Sequence, residues 1–195
     1  MKITFNSPVI LSFSFLCVIV LLITNYLNIM QGWFTLQPFW GNSFKFYFSL
    51  FGHTLGHANI EHLIGNLSFV LLLGPVVEKK YGSKLLLIML LTTALVTAII
   101  HITFFDIGLL GASGIVFMLI ILTSLVDIKN KEIPLTFILV SVIFIGKELL
   151  SVMDNDNISQ TAHIIGGAVG GVFGFIFTNK SKLSKSNTNP LQGLK

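Results

Sequence analysis

The chain has 195 residues, of which 53% are hydrophobic and only 10% charged, and its mean hydropathy is +0.87. A soluble domain carries about a quarter charged residues, so this composition excludes a water-exposed globule and points to one compact helical bundle in a membrane, with no separate soluble domain. The net charge of +4 does not indicate a nucleic-acid partner: there is no Arg, and the twelve Lys stand in short segments between apolar runs.

Six apolar stretches are predicted as spans, at 8–28, 58–77, 85–105, 113–126, 134–152 and 161–178. The first follows Lys2 and has the look of a signal peptide, but its apolar stretch is long and no small-x-small cleavage site follows, so it is expected to be retained. Cys17 lies inside it and has no partner for an internal disulfide. The connection at 29–57 is too aromatic for a solvated linker and too broken by Gly, Pro and Asn for a clean span; it is expected to lie partly in the membrane interface.

Lys2, Lys79, Lys80, Lys84, Lys129, Lys131 and the four lysines after residue 179 fall at one set of span ends, whereas the other set holds only Lys45 and Lys147. The positive-inside rule then places both termini in the cytoplasm, which requires an even number of spans. Residues 1–178 are expected to form one membrane domain, and the polar Ser/Asn/Lys-rich tail 179–195 a disordered cytoplasmic segment touching anionic lipid.

Polar side chains inside spans are costly and mark function. His62 and Asn66 fall in the second span, Ser113 heads the fourth, and His163 heads the sixth. Counted at ~1.5 Å per residue from the lysine-rich ends, they lie ~24, ~18, ~21 and ~24 Å up, in one layer above the midplane of a ~30 Å hydrocarbon core.

That layer has the parts of an acyl-transfer site. A serine hydroxyl needs a base to take its proton, and His163 is a candidate. The oxyanion needs aimed donors, which the Asn66 amide, a His62 ring N–H and the Ser113 backbone N–H at a helix N-terminus could supply. Gly111 and Gly114 would let a substrate backbone come close. The blander readings are a small residue at a helix crossing for Ser113, a carbonyl-bonded buried histidine for His163, and an interhelical hydrogen-bond pair for His62 and Asn66. His53, His57, Glu61 and His62 raise a metal reading, but HExxH is missing and Gly56 breaks the helix through 53–57, so neither metal nor other cofactor is expected. Glu61 is expected to face the outer interface, His101 with Asp106 to mark the outer end of the third span, and Glu78 with Gly82 to form a helix end and its C-cap.

Four segments, "HANIEHLIGN" (57–66), "VEKKYGS" (77–83), "GASG" (111–114) and "AHIIGGAVGG" (162–171), resemble the rhomboid family of intramembrane serine proteases in identity and order, over roughly residues 50–178. The resemblance implies an all-α six-span bundle, a Ser113–His163 dyad without a carboxylate, and an oxyanion hole of Asn66, His62 and the Ser113 N–H. It also implies that Gly166 and Gly170 hold the sixth helix against the fourth, and that His57 hydrogen-bonds within the first loop. Two departures stand out. The Trp-Arg pair that many members carry in that loop is missing, and Phe117 stands where relatives often have Tyr, which keeps a ring for His163 but loses a hydroxyl.

The expected activity is hydrolysis of peptide bonds in or near the transmembrane helices of other membrane proteins, in a bacterial plasma membrane, with membrane lipid and transmembrane substrates as the only partners and no obligatory protein partner readable. Water would arrive beneath the 154–160 loop and substrate beside the fifth span. The rivals are a catalytically silent relative that binds membrane clients, and a small transporter, for which no internal repeat is visible.

Overall fold

The computed structural model describes residues 3–30, 32–124, 135, 138–139, 142–143, 162–174 and 176. Within them the chain is helical: α1 (Pro8–Leu21, continued by a π turn Leu22–Tyr26), α2 (Phe44–Gly52), α3 (Ile60–Tyr81), α4 (Ser83–Phe104), α5 (Ser113–Ser124) and α6 (Ala162–Gly174). The fifth expected span, the 154–160 loop and the tail lie outside the described residues apart from isolated positions in 135–143.

Among the described residues, three helices are long and apolar enough to cross a membrane: Pro8–Tyr26, Ile60–Tyr81 and Ser83–Phe104. At ~1.5 Å per residue the latter two reach ~33 Å, slightly more than the hydrocarbon thickness. Their outward faces carry exposed Phe15, Leu71, Leu72, Leu87 and Leu91, a surface that water would not tolerate and acyl chains accept. The fourth expected span begins at Ser113 and is described as the shorter apolar helix α5, and of the sixth the apolar helix α6 is described.

The helix boundaries follow local chemistry. The Asn59 side chain accepts the His62 N–H at 2.8 Å and starts α3, with Glu61 in the first turn and Lys79 and Lys80 in the last, each favourable to the helix dipole. Gly82 ends it, as expected. Glu78 does more than mark that end. Its buried carboxylate accepts the backbone N–H groups of Val9 at 3.0 Å and Ile10 at 3.1 Å and the Ser83 hydroxyl at 2.7 Å. Ser7, which precedes α1, makes no side-chain cap, so a carboxylate from another helix satisfies the first amides of α1. The starts of α1 and α4 are thereby tied to the end of α3.

The core between these helices is made by Ile10, Val70, Val77, Met89, Met118 and Leu119, from α1, α3, α4 and α5. The 29–57 connection, expected not to form a clean span, contains one short helix, α2, capped by the Ser43 hydroxyl accepting the Phe46 N–H at 3.1 Å. Tertiary packing adds to that local cap. Trp33 meets Phe44 and Phe48 edge-on, and Phe34 meets Phe48 the same way. A two-way backbone bridge joins Leu36 to Leu109, and the Asn25 amide donates to the Ala58 carbonyl at 2.8 Å. These contacts hold the connection where the resemblance would have placed a Trp-Arg pair.

Candidate active site

The Leu36–Leu109 bridge positions the short segment that leads into α5. Two residues on, Gly111 takes φ +122°, a conformation open to glycine and strained for other residues, and its N–H donates to the His53 carbonyl at 2.9 Å. The kink turns the chain so that Ser113 becomes the first residue of α5. Its N–H is by position one of the unpaired amides at the positive end of the helix dipole; the first intrahelical bond runs from Val116 N–H to the Ala112 carbonyl at 2.9 Å. Ser113 is half-buried, whereas Gly111, Ala112 and Gly114 around it are buried.

His62 and Asn66, one turn apart on α3, face this kink. A side chain added at Gly111 would stand 2.8 Å from His62 Cε1, 2.9 Å from its Nε2 and 3.9 Å from Asn66 Nδ2. Asn66 is buried, and its amide donates to the His62 carbonyl at 3.1 Å. An amide nitrogen has a second hydrogen, so one donor is used inside the helix and one is left for another acceptor.

α6 approaches α5 through glycines. A methyl group at Gly166 would run into the carbonyl of Gly114, and one at Gly170 would stand 2.8 Å from the Met118 carbonyl oxygen. At Gly114 the neighbour is the Ala162 carbonyl, 3.2 Å from where a side chain would start. Small residues thus bring the two backbones into contact, the usual device where lipid supplies no hydrophobic drive between helices. His163 follows Ala162, and its ring lies on that of Phe117 with centroids 4.4 Å apart and planes 6° from parallel. Phe117 is one turn after Ser113 on the same face of α5. The serine, the histidine, and the His62–Asn66 pair therefore converge around residues 111–117.

His57 stands behind this cluster. Its Nδ1 is 3.1 Å from the Leu55 carbonyl, which can only accept, so the proton is on Nδ1 and Nε2 is an acceptor. The ring meets His62 edge-on at 5.1 Å. Burial, reinforced by the neighbouring His62, pushes its pKa down to about 4, so the ring is neutral. Glu61 is exposed, and His101 is buried at the end of α4 with Nε2 2.7 Å from the Ile107 carbonyl.

Three contributors, His53, Thr93 and Thr97, were missed in the sequence. The His53 carbonyl holds Gly111, a backbone role that no residue pattern announces. Thr93 and Thr97, one turn apart on α4, line a cavity of about 10 Å³ with His53, Gly111, Gly114 and Ala162, and Thr97 Oγ1 lies 3.4 Å from the position of a side chain at Gly114. Their i, i+4 spacing with His101 is a polar stripe on an apolar helix, a signal the sequence did contain.

Comparison with known proteins bears on this arrangement. The Rhomboid domain family model matches residues 45–180, well over half of the chain. Rhomboid protease GlpG of Haemophilus influenzae (strain ATCC 51907 / DSM 11121 / KW20 / Rd) is 28% identical over 138 residues, 69% of this chain and 70% of that protein. With a family match that spans every element of the cluster and three helices able to cross a bilayer, the chain belongs to the rhomboid family and is an integral membrane protein.

Proposed function

We propose that the protein is an intramembrane serine endopeptidase that cleaves peptide bonds in or near transmembrane segments of other membrane proteins. The observation that carries this reading is the His163 ring stacked on Phe117, one turn from Ser113, opposite the His62 and Asn66 side chains gathered at Gly111. Ser113 Oγ attacks the scissile carbonyl carbon while His163 takes its proton. The negative oxygen so formed is received by the Asn66 amide, the His62 ring and the Ser113 N–H. His163 then gives the proton to the leaving amine and the C–N bond breaks, leaving an acyl ester on Ser113. Water, deprotonated by His163, cleaves the ester and restores the hydroxyl. No carboxylate is invoked as a third member.

The reading includes six spans in one domain over residues 1–178, both termini cytoplasmic, and the polar tail 179–195 beyond it, in a bacterial plasma membrane. Lysine placement supports that orientation. A helix must unwind before its carbonyl can be attacked, so substrates with Gly, Ala or polar residues near the outer membrane edge are the class proposed.

The test is labelling of the purified protein in liposomes with a fluorescent fluorophosphonate, comparing wild type with Ser113→Ala and His163→Ala. Labelling of the wild type alone supports a histidine-activated serine. A folded wild type that does not label returns the protein to the client-binding alternative.

A further inference from the structure

On another flank of the bundle, a cavity of about 560 Å³ lies between α1 and α4. Both helices start at the Glu78 carboxylate, so they rise side by side from the lysine-bearing end. One wall is Pro8, Val9, Phe13 and Leu16 of α1, and the other is Ser83, Leu87, Leu91 and Ala94 of α4. The floor is Ile115 of α5, 1% exposed, and the far end is roofed by Phe48, Phe51 and Leu55. Leu16, Leu87 and Leu91 are between 45% and 48% exposed, so the groove opens to the bilayer rather than to the core.

Its dimensions choose the occupant. From Ser83 to Ala94 the wall runs ~17 Å, about half of a ~30 Å hydrocarbon core. That is the hydrocarbon depth of one leaflet, the reach of one acyl chain. A methylene chain matches the groove in length, whereas a spanning helix needs ~30 Å of apolar contact. Three hydroxyls line an otherwise apolar groove: that of Ser83 donates to Glu78, that of Thr54 to the Phe51 carbonyl, and Ser12 stands on the exposed side of α1. Charge sits at its open end, where Lys84 adjoins Ser83 and Lys79 lies in the preceding turn, both exposed.

We propose that this groove is a binding site for one acyl chain of an anionic glycerophospholipid from the lysine-side leaflet, its phosphate beside Lys84 and its chain end against Phe48 and Phe51. The lipid acts as a packing element between α1 and α4 and touches Ile115, two residues beyond Ser113. The proposal does not depend on proteolytic activity.

The full chain is reconstituted in liposomes containing a trace of phosphatidylglycerol with a diazirine at the end of one acyl chain, irradiated, and mapped by peptide mass spectrometry. Cross-links are expected to concentrate on the peptides bearing Phe48, Phe51 and Leu91, and to fall several-fold in Leu91→Trp and Ala94→Phe, which fill the groove. Leu72→Trp, on the exposed face of α3, should leave them unchanged; Leu91→Trp, at a half-exposed position, keeps the test open if Ala94→Phe does not fold. With a phosphatidylcholine probe as reference, Lys84→Gln should lower the preference for the anionic lipid by about fivefold, the equivalent of ~1 kcal/mol for one basic residue at a charged surface. Labelling spread evenly over the exposed leucines, unaffected by the filling substitutions, overturns the proposal, as does cross-linking of these positions to a second protein chain.

Discussion

The imidazole of His163 lies flat on the ring of Phe117, with centroids 4.4 Å apart and planes 6° from parallel. The stack fixes the ring of a side chain that the proposed reaction needs as base and then acid. Phe117→Ala should lower kcat by roughly five- to tenfold, in keeping with the ~1 kcal/mol of a good ring pair, with little change in KM. Phe117→Tyr should keep near wild-type turnover. Equal loss in both variants would assign Phe117 to packing alone.

The α5–α6 contact separates two glycines of the same helix. A methyl at Gly166 meets the Gly114 carbonyl, whereas nothing lies within 4 Å of one at Gly171. Gly166→Ala should destabilise the protein by ~1–3 kcal/mol through overpacking and reduce labelling of Ser113. Gly171→Ala should be neutral or stabilising by up to ~1 kcal/mol, since alanine is the better helix former. Thermal unfolding in detergent distinguishes the two signs.

Glu78 makes a prediction at the opposite end of the bundle. Glu78→Ala removes the acceptor of two backbone N–H groups and one hydroxyl, a loss of about 2–4 kcal/mol in a buried setting. Glu78→Gln keeps one acceptor oxygen and should fall between the two. Activity per folded molecule should hardly change, because the site lies about three helical turns away along α3. Equal stability of Glu78→Ala and wild type would remove the carboxylate from its capping role.

His53 predicts the direction of acid sensitivity. It is 1% exposed, its Nδ1 faces the Ser49 carbonyl at 3.0 Å, and burial, with a smaller contribution from nearby His101, pushes its pKa from 6.5 down to about 4. The unfolded chain therefore binds more protons than the folded one between those values. Stability should be fully present above about pH 6.5 and decline as the pH falls towards 4, by at most ~3 kcal/mol from this residue. Chemical denaturation at pH 7.5, 6 and 5 measures it, and His53→Gln should flatten the slope. A wild-type curve indifferent to pH over this window would show that His53 is hydrated in solution.

What the sequence by itself determined is what depends on local composition and on spacing along one helix. The membrane class follows from an apolar excess that water cannot cover. The end of α3 follows from Gly82, and the pairing of His62 with Asn66 from a separation of four residues. The start of α5 at Ser113 was legible because an apolar run follows small residues. α2 was not: apart from the Ser43 cap, its aromatic sequence is held by packing Phe44 and Phe48 on Trp33. Tertiary structure alone decided which groups meet: the Glu78 carboxylate with the first amides of α1, the His53 carbonyl with Gly111, and the His163 ring with Phe117. Each of these joins residues 46 or more positions apart, and a carbonyl acceptor is the same in every residue. Side-chain identity therefore cannot announce such partners; they exist only once hydrophobic burial and small-residue contacts have set the helices side by side.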